Sequence, residues 1–251
     1  MSDDFEYAEY DIIASMYEKH VEGKSLNMMP AIENFVLSKT PEGSTILDVC
    51  CGTGKVTEVL QERNYKMTGF DGSSKMVEVA SAKVPQANFF VADARDFNVE
   101  EPFDAAICMC DSLNHTTKLN ELEMIFTNVG KALKSGAPYL FDLRMEAGFE
   151  HYWGQDNNEL NFNVVDDDIA CISHTTYNNE TGDGRLVITT FVREGELFKR
   201  HESIIDQKCY SEQEVRDCLT NAGFDNTYMF RVKEDFGADE IGRAIFVCNK
   251  V

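Results

Sequence analysis

Residues Thr45-Ile-Leu-Asp-Val-Cys-Cys-Gly-Thr-Gly-Lys55 join an apolar run, an acidic residue and a glycine-containing turn. This pattern predicts a β-strand over Thr45–Val49, a turn, and a helix that begins at Lys55. In an open α/β sheet, ligands bind in the crevice at the carboxyl ends of the strands. The stretch therefore predicts a small-molecule site, and the following segments must decide which cofactor it holds.

Short apolar segments alternate with helical patterns after this stretch. Further strands are predicted over Tyr65–Phe70, Ala87–Val91, Phe103–Met109 and Pro138–Leu143, with helices over Lys55–Arg63, Ser74–Lys83 and Lys118–Lys134. A helix over Ser211–Ala222, with Ser211 and Glu214 as a capping box, precedes two strands near Asn226–Val232 and Arg243–Asn249 that are expected to pair as an antiparallel hairpin. The alternation predicts an α/β fold with a doubly wound, mostly parallel, Rossmann-like sheet of seven strands.

The pattern changes after the fifth strand, because apolar and polar residues alternate at period two from Glu159 to Gln207. Turn signals at Asp166–Asp168 and Asn178–Gly184 separate the segments. This predicts an inserted antiparallel sheet of three or four strands that forms a lid. We therefore expect residues 1–145 and 208–251 to form the main domain, with two helices over 7–38 as a second lid, and residues 146–207 to form the insertion.

The chain has 251 residues and a formal net charge of −21. Such a field repels phosphate backbones and anionic membranes, so we expect neither nucleic acid nor a membrane as a partner. None of the eight cysteines form a Cys-x-x-Cys pair or a zinc-binding spacing, which is typical of a reducing cytosol. The acidic N-terminus and the absence of a long apolar run predict a cytoplasmic protein.

The glycine turn itself is compatible with two kinds of cofactor. A dinucleotide requires Gly-x-Gly-x-x-Gly, whereas the stretch Gly52–Thr57 lacks the third glycine. S-adenosylmethionine has no phosphate, and its ammonium, ribose hydroxyls and adenine amino group each favour an acidic or polar partner. Asp48, Asp71 and Asp93 end three successive predicted strands, and this set favours S-adenosylmethionine over NAD.

Four segments carry a resemblance to a known family: Ile46–Gly54, Gly69–Met76, Val91–Ala94 and Phe103–Ile107. They resemble the signature of class I S-adenosylmethionine-dependent methyltransferases over about residues 44–144. The segment Tyr10–Tyr17 and the insertion resemble small bacterial members, including sugar N-methyltransferases. The resemblance implies donor contacts by Asp48, Cys50, Gly52, Thr53, Gly54, Asp71, Gly72, Met76, Asp93, Ala94, Cys110 and Asp111.

One residue of the signature departs from the family pattern. Cys50 stands where the family has a glycine. A positive φ is costly for a residue with a Cβ, so either the backbone at Cys50 is ordinary or the loop is displaced. We expect cofactor binding to survive, because Gly52 and Gly54 remain.

The predicted loop Cys110–His115 follows the fourth strand, where the family brings methyl donor and acceptor together. His115 is a candidate general base, with helix capping or orientation of Asn114 as the alternative. Tyr17 matches a lid position of the family. Asp111 as a metal ligand is disfavoured, since no further carboxylates are placed with it by the sequence, and no metal is expected.

Residues beyond the fifth strand have two interpretations each. We interpret Arg144 either as an anion-binding group or as a member of an ordinary ion pair. Two roles are open for the next aromatic residues: they line an acceptor pocket, or they pack the insertion on the main domain. These residues are His151, Tyr152 and Trp153.

The sequence predicts an enzyme that moves a methyl group from S-adenosylmethionine to a nitrogen or oxygen of a small molecule. Two alternatives remain open: a NAD-dependent oxidoreductase on a similar sheet, and a non-catalytic module that binds S-adenosylmethionine. The expected assembly is a monomer or a homodimer.

Overall fold

The computed structural model describes residues 8–154 and 163–251. The first described segments are α1 (Ala8–Asp11), α2 (Ala14–His20), a 3₁₀ helix (Glu22–Met28) and α3 (Met29–Ile32), which continues as a π-helical turn (Glu33–Leu37). The prediction of two helices over 7–38 is therefore wrong in its number, and residue 7 lies outside the described residues. Gly23 is a weak helix former. Pro30 lies in the first turn of α3, where a backbone N–H would have no partner within the helix, so its missing N–H costs nothing.

Five parallel strands follow, as predicted. The segments in chain order are β1 (Thr45–Val49), α4 (Lys55–Glu62), β2 (Lys66–Asp71), α5 (Ser74–Lys83), β3 (Asn88–Val91), β4 (Ala105–Cys108), a 3₁₀ helix (Ser112–His115), α6 (Leu119–Lys131), β5 (Pro138–Arg144) and α7 (Glu146–Trp153). β4 is shorter than predicted, since Phe103 makes only an isolated bridge to Leu133. β1 lies between β4 and β2, so the strand order reverses there and opens a crevice at the carboxyl ends.

A separate antiparallel sheet of four strands comes next in the chain. It consists of β6 (Val164–Val165), β7 (Ile169–Asn178), β8 (Asp183–Glu194) and β9 (Leu197–Lys208), paired in chain order. The prediction of an inserted antiparallel sheet after the fifth strand is confirmed, and its first predicted residues, 159–162, lie outside the described residues. The prediction of period-two alternation holds along β7, where buried and exposed residues alternate from Cys171 to Thr176.

The chain then returns to the main sheet through α8 (Glu212–Asn221), β10 (Phe224–Arg231), α9 (Val232–Phe236) and β11 (Arg243–Lys250). The predicted capping box of Ser211 and Glu214 is present at the start of α8. β11 pairs antiparallel with β5 and with β10, which completes the seven-stranded order β10-β11-β5-β4-β1-β2-β3. The predicted seven-stranded, mostly parallel sheet is confirmed.

Hydrophobic residues cover both faces of the main sheet. Alternate residues of one strand point to opposite faces, so Leu47 packs in one buried cluster and Ile46 in the other. A third cluster joins the inner face of the four-stranded sheet, through Ile188, to Met16 of α2 and Phe149 of α7. This third cluster fixes the small sheet against the N-terminal helices and thereby over the crevice.

None of the helices in residues 8–154 and 163–251 has the length and apolar character needed to cross a bilayer.

Candidate active site

A cavity of about 470 Å³ lies at the carboxyl ends of β1, β2, β3 and β4. Its lining includes twelve of the fourteen predicted site residues: Tyr17, Asp48, Cys50, Gly52, Thr53, Asp71, Gly72, Met76, Asp93, Ala94, Cys110 and His115. Gly54 and Asp111 do not line it. Other walls come from Glu9 and Tyr10 of α1 and from Ile204–Asp206 of β9. The N-terminal helices and the four-stranded sheet thus close a crevice that the main sheet opens.

The turn after β1 contains three residues in the left-handed region, with φ of 56° at Cys50, 53° at Gly52 and 76° at Gly54. Of the two alternatives for Cys50, ordinary backbone is therefore wrong. Its side chain packs against the buried cluster that contains Cys108, and this packing holds the strained residue. At Gly54, a Cβ would lie 3.0 Å from that of Ala80, so this glycine permits close contact between the turn and α5.

The carboxylates that end β1 and β2 are both hydrogen-bonded, Asp48 being buried and Asp71 half-buried. Asp48 accepts a hydrogen bond of 2.6 Å from the Thr57 hydroxyl, and burial raises its pKa to about 7. Asp71 accepts 2.9 Å bonds from the backbone N–H groups of Gly52 and Ser73. Burial also raises the pKa of Asp71. Asp71 therefore fastens the glycine turn to the end of β2 as well as facing the cavity.

The carboxylate after β3 has a side-chain partner of its own. Both oxygens of Asp93 bind the Arg95 guanidinium, the shorter distance being 2.6 Å, and Arg95 also reaches Glu121 at 3.1 Å. The group that sequence reasoning assigned to the adenine end of the donor is thus an ion-pair cluster at the cavity wall.

The loop after β4 is strained and tightly held. Cys110 and Asp111 have φ of 66° and 48°, a region that non-glycine residues rarely adopt. The Asn114 amide donates to the backbone carbonyls of Arg144 at 3.0 Å and of Lys208 at 2.8 Å, and accepts from the Arg144 N–H at 2.9 Å. These bonds tie the loop to β5 and β9, so Asn114 is oriented by backbone groups, whereas the sequence had offered His115 for that task.

His115 sits at the meeting point of three elements. Its Nε2 lies 3.1 Å from the Tyr10 hydroxyl and 3.2 Å from the Gln207 side-chain nitrogen. An amide nitrogen only donates, so Nε2 accepts and the ring carries its proton on Nδ1. Burial lowers the pKa of His115, and Asp111 opposes this shift. The lowered pKa favours a neutral imidazole, whose Nε2 is directed at Tyr10 and Gln207.

Tyr17 lies beside this histidine on the cavity wall. Burial raises its pKa well above the usual range, and the Cys110 thiol, to which it is hydrogen-bonded, adds to the shift. The residue is therefore a neutral phenol at every physiological pH.

Comparison with known proteins places this geometry in a family. The sequence profile of a methyltransferase domain matches residues 46–136, the stretch from β1 to the end of the α6 region. The inferred methyltransferase YqeM of Bacillus subtilis (strain 168) is 28% identical over 206 residues, covering 80% of this chain and 81% of that protein. The chain thus carries a methyltransferase domain and resembles class I S-adenosylmethionine-dependent methyltransferases. The NAD alternative is not supported by these matches.

Sugar-modifying enzymes are among the relatives of this methyltransferase. A dTDP-4-amino-2,3,4,6-tetradeoxy-D-glucose N,N-dimethyltransferase of Saccharopolyspora spinosa is 30% identical over 123 residues, which span 47% of this chain and 49% of that enzyme. The crystal structure of Streptomyces venezuelae DesVI superposes with a TM-score of 0.73 at 20% identity, covering 97% of this chain and 98% of that one. At that identity the structural likeness establishes the fold alone.

A buried ion-pair network supports the strained loop of the methyltransferase from behind. Arg243 of β11 donates to Asp142 at 2.7 Å and to Asp111 at 3.1 Å, and lies 3.2 Å from Glu240. Arg144 donates to Asp111 at 2.9 Å, and the Asp111 N–H donates to Asp142 at 2.9 Å. Burial raises the pKa of Asp142 to about 6, while the two arginines hold that of Asp111 below its usual range. Asp111 thus faces the network.

The residues after β5 contribute to packing. Arg144 is mostly buried, and its guanidinium lies 5.0 Å from the ring centroid of Tyr152 in addition to its pair with Asp111. A Cβ at Gly184 would lie 2.8 Å from the Trp153 ring, so this tryptophan packs directly under β8. Neither these residues nor His151 lines the cavity. The ion-pair and packing interpretations therefore describe this segment.

Three positions in or near the cavity escaped sequence reasoning. Gln207, Glu9 and Arg243 lie in segments that match no motif, and Gln207 and Arg243 meet their partners across 92 and 132 residues of chain. A weak signal existed for Gln207, because a polar residue falls on the inward-facing register of β9. No signal in the sequence distinguishes Arg243 from an ordinary strand-end arginine.

Within the described parts of the methyltransferase, no cluster of three or more His, Cys, Asp or Glu side chains is arranged to hold a metal ion.

Proposed function

We propose that this enzyme methylates a nitrogen of a small-molecule acceptor, with His115 as general base and oxygen as the less favoured acceptor atom. The observation that carries the proposal is the neutral His115 Nε2 on the wall of the donor cavity. The N,N-dimethyltransferase names of its relatives support nitrogen. A panel of amines and matched alcohols, assayed with methyl-labelled donor, tests it: label in amines supports nitrogen, and label confined to alcohols contradicts it.

The residues at the cavity fit S-adenosylmethionine. Asp48 offers a carboxylate for the ammonium of the amino acid tail, and Asp71 offers oxygens to the ribose hydroxyls, while no cationic cradle for a phosphate is built by the glycine turn. We assign the remaining walls of the donor site to Gly52, Met76 and Cys110. When bound, the donor supplies an electrophilic methyl on a sulfonium, and the protein contributes alignment and proton removal.

Asp71→Ala is expected to weaken binding of S-adenosylhomocysteine by about 1–3 kcal/mol, the cost of losing hydrogen bonds to a charged group. The loss has two sources, since Asp71 also holds the Gly52 N–H at 2.9 Å. Calorimetric titration measures it. Asp167→Ala, in an exposed turn of the four-stranded sheet, is the matched control. Equal affinities for both variants would remove Asp71 from the donor site.

Proton removal follows from the contacts of His115. The Tyr10 hydroxyl lines the cavity and is hydrogen-bonded to Nε2, so it can take a proton from the acceptor as it passes its own to the ring. Burial keeps the imidazole neutral and ready to receive that proton. Tyr17, on the same wall, closes the donor side as part of the helical lid.

We further propose that residues 146–207 cover the acceptor, which is supported by Ile204, Ile205 and Asp206 on the cavity wall. β9 also supplies Gln207, so the insertion reaches the proposed base directly. The eight free cysteines support a cytoplasmic location.

Gln207 is proposed as a positioning residue that fixes the tautomer of His115. Gln207→Leu is expected to lower kcat about tenfold or more, since one fixed hydrogen bond at the base is lost. Gln207→Glu is expected to shift the rising limb of the pH–rate profile to higher pH, because a carboxylate beside the ring favours the imidazolium and raises its pKa. Steady-state rates against pH measure both effects.

The control for these variants is Gln86→Glu, an exposed glutamine between α5 and β3. It adds the same charge without contact to the ring, so its profile should match that of the unmodified enzyme. If the pH–rate profile of Gln207→Glu also matches that of the unmodified enzyme, Gln207 does not act on His115.

A further inference from the structure

The lining of the active-site cavity carries an excess of negative charge. Seven acidic and three basic side chains line it: Glu9, Glu22, Asp48, Asp71, Asp93, Glu121 and Asp206 against Lys55, Arg95 and Lys118. The difference is four negative charges when all are ionised. An anionic acceptor would therefore enter against the field of the wall.

The three basic side chains are already paired. Lys55 binds Glu58 at 2.7 Å, Lys118 binds Glu121 at 2.8 Å, and Arg95 binds both Asp93 at 2.6 Å and Glu121 at 3.1 Å. Within the described residues, the cavity wall thus has no cation left over for a phosphate.

The stretches outside the described residues contain no basic side chain. Residues 1–7 read Met-Ser-Asp-Asp-Phe-Glu-Tyr and residues 155–162 read Gln-Asp-Asn-Asn-Glu-Leu-Asn-Phe. Neither stretch contains lysine or arginine, and together they contain five acids. Their side chains therefore add no cation to the cavity wall.

The two arginines nearest the acceptor loop are also neutralised. Arg144 and Arg243 share three carboxylates, those of Asp111, Asp142 and Glu240, and neither lines the cavity. Releasing one of them to bind a diphosphate would leave a buried carboxylate unpaired, which is costly.

One acid of the wall has neither a salt bridge nor a hydrogen bond to its side chain among the described residues. Glu9 of α1 lines the cavity next to Tyr10, and its charge contributes to raising the pKa of Tyr10. The Ser203 hydroxyl of β9 donates to the Glu9 backbone carbonyl at 3.3 Å, which fixes α1 against the four-stranded sheet. Glu9 therefore offers a free carboxylate on the side of the cavity where the proposed base lies.

We propose that the acceptor is an amine without phosphate or carboxylate groups, which binds as a cation with Glu9 as its counter-charge. This rests on the proposed methylation of nitrogen, and it separates the enzyme from relatives whose names specify dTDP-linked amino sugars. The ammonium gives one proton through Tyr10 to His115. The freed lone pair then forms the nitrogen–carbon bond as the sulfur–carbon bond breaks, and that bond's electron pair stays on sulfur.

A binding experiment with thymidine diphosphate decides the charge preference without requiring turnover. The probe is titrated into the full-length protein loaded with S-adenosylhomocysteine. We expect no measurable binding at submillimolar concentration. A Kd of about 0.1 mM or tighter, equivalent to about −5.5 kcal/mol, would overturn the proposal even if nitrogen methylation is correct.

A turnover experiment tests whether the enzyme methylates a phosphate-free amine. It compares two matched acceptors, 3-amino-3,6-dideoxy-D-glucose as its methyl glycoside and the same sugar linked to dTDP. We expect label from the methyl donor only in the phosphate-free amine, or in other phosphate-free amines of a panel. Preferential labelling of the dTDP-linked sugar overturns the inference. Absence of label from every amine contradicts the proposed function, and the diphosphate titration still decides the charge preference.

Charge reversal at Glu9 links the preference to a residue. Glu9→Lys is expected to raise KM for the labelled cationic amine about tenfold or more, with S-adenosylhomocysteine affinity unchanged. Glu196→Lys, in the exposed turn between β8 and β9, makes the same change away from the cavity and should leave KM unaltered. An equal KM for both variants would remove Glu9 as the counter-charge.

Discussion

Arg243→Met is expected to lower the free energy of unfolding by about 3–5 kcal/mol, the cost of removing one partner from a buried ion pair. The guanidinium contacts Asp142 at 2.7 Å and Asp111 at 3.1 Å, and the Asp142 side chain is fully buried. Methionine fills a similar volume without the charge, so the penalty comes from two carboxylates that lose their counter-ion. Urea denaturation at neutral pH measures the loss.

The pH dependence of this variant has a definite sign. Burial already raises the pKa of Asp142 to about 6 with Arg243 present. Without the arginine, the folded-state pKa of Asp142 rises further above the unfolded value, and the pKa of Asp111 loses part of its downward shift. Both changes favour the folded variant as pH falls. The deficit relative to the unmodified protein should therefore narrow between neutral and mildly acidic pH.

Arg231→Met, on the exposed end of β10, is the control, and its stability should stay within about 0.5 kcal/mol of the unmodified protein. A deficit below 1 kcal/mol in Arg243→Met would show that the network does not hold the protein together. The same variant should also lose activity, because the strained Cys110–Asp111 turn depends on these contacts.

His115→Ala is expected to lower kcat by about 10²–10⁴-fold, the usual contribution of a positioned general base. The affinity for S-adenosylhomocysteine should stay unchanged, since His115 contacts Tyr10 and Gln207 and no residue assigned to the donor. Single-turnover rates and calorimetry separate the two quantities.

His174→Ala replaces an exposed histidine of the four-stranded sheet and serves as the control for expression and folding. His115→Gln keeps a polar side chain in the buried site and should remain as inactive as the alanine variant. A near-normal kcat in either His115 variant would show that no general base is needed and that the enzyme acts only by aligning the acceptor with the methyl group.

The local pattern of the chain was sufficient for the main sheet and for most of the cavity lining that we assign to the donor. Asp48 and Asp71 each follow an apolar run, and the carboxyl ends of parallel strands meet at one edge of a sheet. Spacing along the chain therefore implied proximity in space. Local chemistry could not decide the backbone at Cys50, where it left ordinary backbone and a displaced loop as alternatives. The residue has φ of 56°, and its side chain packs against the cluster that contains Cys108.

The residues that surround His115 could not be predicted in the same way. Gln207 and Arg243 reach the acceptor loop from strands that lie 92 and 132 residues away from their partners. Their contacts depend on how β9 and β11 are placed, and that placement results from the burial of whole sheet faces. Asp111 illustrates the consequence, because its motif position implied donor contact while the fold turns it toward two arginines.

The sequence by itself determined the sheet and the cofactor class, because these depend on strands and strand ends that are local in the chain. The charge available to the acceptor was decided by the tertiary structure. Composition showed an acidic protein, but only the fold shows that Lys55, Arg95 and Lys118 are paired at the cavity wall, whereas Glu9 has no salt bridge among the described residues. An ion pair forms only when two charged groups lie close together, and groups that are remote in the sequence are brought close only by folding.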